Sequence, residues 1–141
     1  MALHNDIGKM GEDMAASYLL ANGYKIRERN WKLGDLETDI IAEKDGQIVF
    51  IEVKTRNYTT YYPPERSVDY RRKRRLSVGA QAYIRYHSID LPWRFDIIAI
   101  VISPEGKPQL NHIEGAFMPP MKTYGNYHGT YSYKSKRSSW W

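Results

Sequence analysis

Residues 37–56 read Glu-Thr-Asp-Ile-Ile-Ala-Glu-Lys-Asp-Gly-Gln-Ile-Val-Phe-Ile-Glu-Val-Lys-Thr-Arg, and the fold turns on this stretch. Two β-branched runs, 38–42 and 47–55, flank Lys44-Asp45-Gly46. Asp-Gly between such runs signals a hairpin, because a type I′ turn needs positive φ at both central positions. With Asp45-Gly46 as a two-residue loop, Asp39 faces Glu52 and Glu37 faces Lys54. Residues two apart on a strand share a face, and opposed Cβ atoms stand roughly 4.5–5.5 Å apart. Four ionisable groups therefore gather at the open end of the hairpin, with Ile41, Ile48 and Phe50 on the same face nearer the turn. A three-residue loop would shift the register by one and separate Asp39 from Glu52.

Two adjacent carboxylates repel, and apolar neighbours raise the cost of keeping both ionised. A divalent cation removes the conflict, since hard ions such as Mg²⁺ take carboxylate and carbonyl oxygens. Asp39, Glu52 and the Val53 carbonyl form the expected ligand set, with Lys54 placed to hold a water or a phosphate oxygen beside the ion. The competing reading is a cross-strand salt-bridge ladder of Glu37, Lys54 and Asp39.

A chain of 141 residues with 42% hydrophobic content suits one domain with a sizeable core. There is no cysteine, which excludes disulfides and thiolate zinc sites and suits a reducing, cytoplasmic setting. The first 22 residues, interrupted by Asp6, Lys9, Glu12 and Asp13, lack the apolar core expected of a signal peptide. Residues 97–102, the longest aliphatic run, are too few to span a bilayer, so no membrane partner is expected. Net charge is +5, but it is unevenly placed. Residues 66–75 hold Arg66, Arg71, Arg72, Lys73, Arg74 and Arg75 against Asp69 alone, and residues 122–141 carry Lys122, Lys134, Lys136 and Arg137 with no acid. An acidic pocket between two basic segments suits a metal-dependent enzyme acting on a polyanion; a solvated helix face is the plainer account of the first segment.

Residues 6–22 read as a helix. Ile7, Met10 or Gly11, Met14, Tyr18 and Ala21 recur at helical spacing, and Asn22-Gly23 stops it. Glu12 shares a neighbouring stripe with Ala15, Ala16 and Leu19; by itself it reads as an early-turn acid favoured by the helix dipole. Residues 24–30 alternate as a strand with one wet face, and residues 31–35 read as a loop. Residues 57–64 make a loop or flap whose tyrosines either stack on bases or pack on the domain. A second helix is expected from near Asp69 to about His87, with Leu76, Ala80, Tyr83, Ile84 and His87 facing the core. Residues 94–102 form a buried strand, turned by Pro104-Glu105-Gly106, and 109–114 a return strand. Asp96 is expected to pair with Arg94 or the hairpin bases, or to support the site from a distance, and His112, with no Asp, Glu or His at metal-ligand spacing, reads as structural. Residues 1–120 thus make the domain, and 121–141 a disordered, basic, Tyr-rich tail.

Taken together these elements give an α/β fold with a mixed central sheet flanked by helices, in the order α-β-β-β-α-β-β. Asp39, then Glu52-Val53-Lys54 13 positions on, resembles the PD-(D/E)xK nuclease superfamily of the restriction-endonuclease-like fold, a three-layer core. Further motifs resemble the YraN family of small bacterial proteins: Gly8-Lys9-Met10-Gly11-Glu12, Ala15-Ala16-Ser17-Tyr18-Leu19, Gly23-Tyr24, Arg29-Asn30-Trp31, Glu37-Thr38-Asp39-Ile40-Ile41-Ala42, Val49-Phe50-Ile51-Glu52-Val53-Lys54-Thr55-Arg56, Arg94-Phe95-Asp96, and His112-Ile113 followed by Ala116-Phe117. Thr38 departs from the superfamily, which often has Pro there. The resemblance covers about residues 7–117 and implies a layout similar to archaeal Holliday-junction resolvases. It also implies Asp39 and Glu52 as metal ligands, Lys54 as the catalytic lysine and Glu12 as a helix-borne acid of the site. The expected activity is Mg²⁺- or Mn²⁺-dependent hydrolysis of phosphodiester bonds, with nucleic acid as partner and DNA, branched DNA included, ahead of RNA. Arg56, Arg71, Arg72, Lys73, Arg74 and Arg75 are the expected phosphate contacts. The alternative is a non-catalytic nucleic-acid-binding module on the same fold. Resolvases of this layout usually act as dimers, so a homodimer is admitted, although no stripe of this chain marks a dimer face.

Overall fold

The structure, a computed structural model, describes residues 2–58 and 69–118, with side chains from residue 6 onward. Most of the aromatic flap and the whole expected tail lie outside the described residues. Seven elements follow in order: α1 (Ala2–Ala21), β1 (Lys25–Leu33), β2 (Leu36–Lys44), β3 (Gln47–Asn57), α2 (Tyr70–Tyr86), β4 (Trp93–Ile102) and β5 (Pro108–Phe117). The strands form one sheet in the order β1-β2-β3-β4-β5. β3 and β4 run parallel through the α2 crossover, and the other neighbours are antiparallel. This is the expected mixed α/β core.

Each helix covers one face. Ile41, Ile48, Phe50, Phe95 and Ile97 pack with Leu76, Ala80, Tyr83 and Ile84 of α2. On the other face Ile40, Ala42, Val49, Ile51, Ile98 and Ile100 pack with Ala15, Ala16 and Leu19 of α1. α1 buries its stripe of small residues, while Met10 is exposed. A Cβ at Gly11 would collide with the Thr55 hydroxyl, so this helix lies close against β3. Because α1 begins at Ala2 rather than Asp6, Glu12 is well inside the helix, and the early-turn dipole account of it does not apply. α2 matches its expected span: Asp69 caps it by accepting the Arg72 N–H (2.9 Å), and His87 closes it.

Residues 31–33, expected in a loop, continue β1, and Gly34-Asp35 is a second two-residue hairpin turn with Leu33 paired to Leu36. Gly34 alone has positive φ there, the type II′ pattern. At Asp45-Gly46 both residues have positive φ, as the expected type I′ turn requires. The β2–β3 register follows from it, running from Lys44↔Gln47 to Ile40↔Ile51.

Among the described residues, no helix is long and apolar enough to cross a membrane.

Candidate functional site

Pairing between β2 and β3 stops at Ile40↔Ile51, yet both strands continue. β2 stays with β1 as far as Leu36↔Leu33, and β3 stays with β4 as far as Asn57↔Ile102. The sheet thus forks, and Asp39, Glu52, Val53 and Lys54 stand at the root of the fork. The simple ladder rungs Asp39–Glu52 and Glu37–Lys54 are not formed. Instead the Asp39 carboxylate takes the place of a backbone acceptor: Val53 N–H donates to Oδ2 at 2.8 Å.

The strand alternation also breaks here. Asn30 has φ 52, a left-handed conformation uncommon outside Gly and Asn. Beyond it Trp31 packs edge-on against Tyr83 of α2, while Arg29 pairs with Asp13 of α1 at 2.7 Å. Opposite on β2, Thr38 lies near Gly79 of α2, whereas Ile40 belongs to the α1 face. Asp39 falls at the switch and is turned toward β3.

Glu52 is 4% exposed and well compensated. The Arg72 guanidinium grips it with a fork, Nη2 to Oε2 at 2.8 Å and Nε to Oε1 at 3.3 Å. Lys54 Nζ stands 3.4 Å from Oε1. Lys54 therefore pairs along its own strand with Glu52, and among the described residues the Glu37–Lys54 ladder is absent. Asp39 forms no ion pair among the described residues. Burial first, and then the Glu52 charge, push its pKa up to about 7; the Val53 N–H and Arg72 pull the other way. Glu12 from α1 adds to this field, and its own pKa is raised, chiefly by burial, against the hydrogen bond from Asn30 and the charge of Arg29.

These donors suit a hard divalent ion. They are carboxylate oxygens of Asp39 and Glu52, and an extended residue sends its N–H and C=O to the same side of the strand. Since Val53 N–H is aimed at Asp39, its carbonyl also faces the fork rather than β4. Among the described residues, no group of three His, Asp or Glu side chains is set as a metal cage. The candidate set is two carboxylates and a main-chain carbonyl, with Glu12 at longer range. Arg72 must leave Glu52 for an ion to use both of its oxygens.

The basic segment divides. Arg72 enters the site, Lys73 lies over the Phe117 ring at 5.7 Å, and Arg75 grips Asp35 through its carbonyl (2.5 Å) and carboxylate (3.3 Å). Arg71 and Arg74 are exposed, and Arg56, on the β3 arm of the fork, is half-buried. Asn30 and the inward role of Arg72 were not read from the sequence. An Asn inside a strand pattern was the available signal for the first, being a poor strand former that tolerates positive φ.

A second buried polar cluster lies under α1. Asp96 is 0% exposed and accepts from Arg94 Nε (2.9 Å) and Gly115 N–H (3.0 Å), with His112 Nε2 at 2.7 Å. Tyr18 reaches His112 Nδ1 at 3.0 Å. Asp96 is thus the Arg94 partner expected of it, and His112 is held between Asp96 and Tyr18.

The match to known proteins covers the same residues. The model of the uncharacterised protein family UPF0102 matches residues 11–100. A UPF0102 protein of Bacteroides thetaiotaomicron is 46% identical over 121 residues, 86% of this chain and 99% of the relative. Another from Phocaeicola vulgatus is 48% identical over 122 residues, again 86% and 99% of the two chains. One from Flavobacterium psychrophilum is 39% identical over 117 residues, 83% and 98%. With residues 11–100 matched and relatives aligned along nearly their full length, this chain belongs to the UPF0102 family, which is the YraN family.

Proposed function

We propose that the protein is a Mg²⁺- or Mn²⁺-dependent nuclease that hydrolyses phosphodiester bonds in DNA, branched DNA included. The observation that carries this reading is the fork itself. It holds Asp39 and Glu52 close enough for Glu52 to raise the Asp39 pKa, with Lys54 beside Glu52. A purely structural pair would gain nothing from mutual repulsion.

Asp39, Glu52 and the Val53 carbonyl would hold the cation, which when bound supplies Lewis-acid stabilisation of the phosphoryl oxygens. Lys54 orients the attacking water and offsets the negative charge that grows on the phosphate. Glu12 contributes a further carboxylate above the fork. Arg56, Arg71 and Arg74 bind neighbouring phosphates, which gives affinity without sequence choice.

Cleavage of branched, single-stranded and double-stranded DNA with Mg²⁺ or Mn²⁺ tests the proposal. Wild-type protein is expected to cut at least one of them, and Asp39→Ala and Lys54→Ala to lose about 100-fold or more, the usual loss of a preorganised charge. Equal activity in all three proteins would overturn the assignment.

One observation favours a second reading, a non-catalytic nucleic-acid-binding module: Arg72 already neutralises Glu52 without any ion. That reading expects DNA binding that survives EDTA and Glu52→Ala, with no cleavage of any substrate.

A further inference from the structure

We propose that Arg72 exchanges partners: it caps Glu52 until a divalent cation takes that carboxylate, and its guanidinium then binds the phosphate being cut. This rests on the nuclease reading and assigns a substrate-binding residue within it.

Three observations lead there. First, the fork of Arg72 uses both oxygens of Glu52, at 2.8 and 3.3 Å, and Lys54 shares one of them at 3.4 Å. Inner-sphere coordination needs those same lone pairs, and a dication repels a guanidinium held at hydrogen-bond range. Second, the Asp39 carboxylate is held at the fork by the N–H of Val53, the residue next to Glu52, at 2.8 Å, so one ion would serve both carboxylates. Third, the displaced side chain stays at the fork. Arg72 is rooted in the first turn of α2, where the Asp69 cap fixes its backbone N–H. From that root its half-buried side chain already reaches Glu52 at 2.8 Å, so a small rotation keeps the guanidinium within reach of the fork. A guanidinium fork fits a phosphate as well as a carboxylate, so the phosphate brought to the cation is its natural next partner.

The consequence is a coupling. A cation entering the fork leaves the Arg72 charge in place but unpaired, so DNA binds more tightly with the cation than without it. By linkage DNA also tightens the cation to the same degree.

The test compares Mn²⁺ affinity, by titration calorimetry, in wild type, Arg72→Ala and Arg72→Lys. Binding of a short DNA duplex with and without Ca²⁺ completes it. Loss of the competing fork is expected to tighten Mn²⁺ in Arg72→Ala by a factor in the usual coupling range of about 5- to 150-fold. Arg72→Lys, which keeps the charge without the fork, should fall between. The Ca²⁺-dependent gain in DNA affinity should be present in wild type and clearly smaller in Arg72→Ala, where only the direct contact of cation and phosphate remains. Unchanged or weaker Mn²⁺ binding in the folded variants overturns the exchange while leaving the metal site standing. No Mn²⁺ binding by wild type overturns both readings. The wild-type Arg72 Nε–H resonance gives a check that needs no variant. It should move when Mg²⁺ alone is added, and a stationary signal in a protein that binds Mg²⁺ overturns the exchange.

Discussion

The Asp39 carboxylate accepts the Val53 N–H while facing Glu52, and burial with that second charge pushes its pKa up to about 7. Between the ordinary Asp value and that point the folded protein holds a proton that the unfolded chain has released. Stability in EDTA is therefore expected to fall as pH rises through this window, with the full loss present above it. The displacement sets an upper bound of about 4 kcal/mol. Asp39→Asn keeps an acceptor for Val53 and removes the charge. Thermal melts should show it more stable than wild type at about pH 8 and level with it at about pH 4. A wild-type melting temperature flat across that range would contradict this account. At the same scale, Glu12 was legible as a site acid only through the resemblance to a family. Its neighbours in sequence give it an ordinary helix position, and the field it shares with Asp39 depends on where α1 lies.

The approach of α1 to β3 is set by small residues, with Gly11 against Thr55 and Ala15 and Ala16 buried behind it. Gly11→Ala forces the helix or Thr55 to move, and is expected to cost about 1–3 kcal/mol in denaturant unfolding, as overpacking does. The same shift carries Glu12 away from Asp39, so activity should fall further than stability alone explains. The turn elements show how local chemistry reads. Asp45-Gly46 was legible because positive φ at two successive residues is a strong, local demand. Gly34-Asp35 carried a similar signal, Gly followed by Asp between pairing residues, but Trp31 and Leu33 alternate out of phase with Tyr24 and Ile26, which obscured the end of β1. The unbroken strand follows from the switch at Asn30, which lets Trp31 reach Tyr83.

Across the molecule, one basic stretch of sequence takes on three different roles. Arg72 faces the fork, Arg75 ties down the Gly34-Asp35 turn, and Arg71 and Arg74 look outward. If the outward pair meets phosphates, the double variant Arg71→Ala/Arg74→Ala should lower the slope of log affinity against log salt by about 2, one for each phosphate left without its arginine. Arg75→Ala should leave that slope alone and lower stability by less than about 1 kcal/mol, since its pair is exposed. Fluorescence anisotropy at several salt concentrations separates the two. Identical slopes in wild type and the double variant would remove α2 from the DNA-binding surface.

The sequence alone determined the hairpin register, the span of α2, the two-faced sheet, and the identity of the acids and lysine at its open end. These follow from turn chemistry and periodicity, which act over a few residues. Only the tertiary structure decided that the sheet forks beyond Ile40↔Ile51, that Asp39 turns sideways onto Val53, and that Arg72 enters the fork while Arg71 and Arg74 do not. The reason is physical: where two strands part depends on which neighbours hold each of them, β1 for one arm and β4 for the other. That competition between distant pairings leaves no mark on any short stretch of chain.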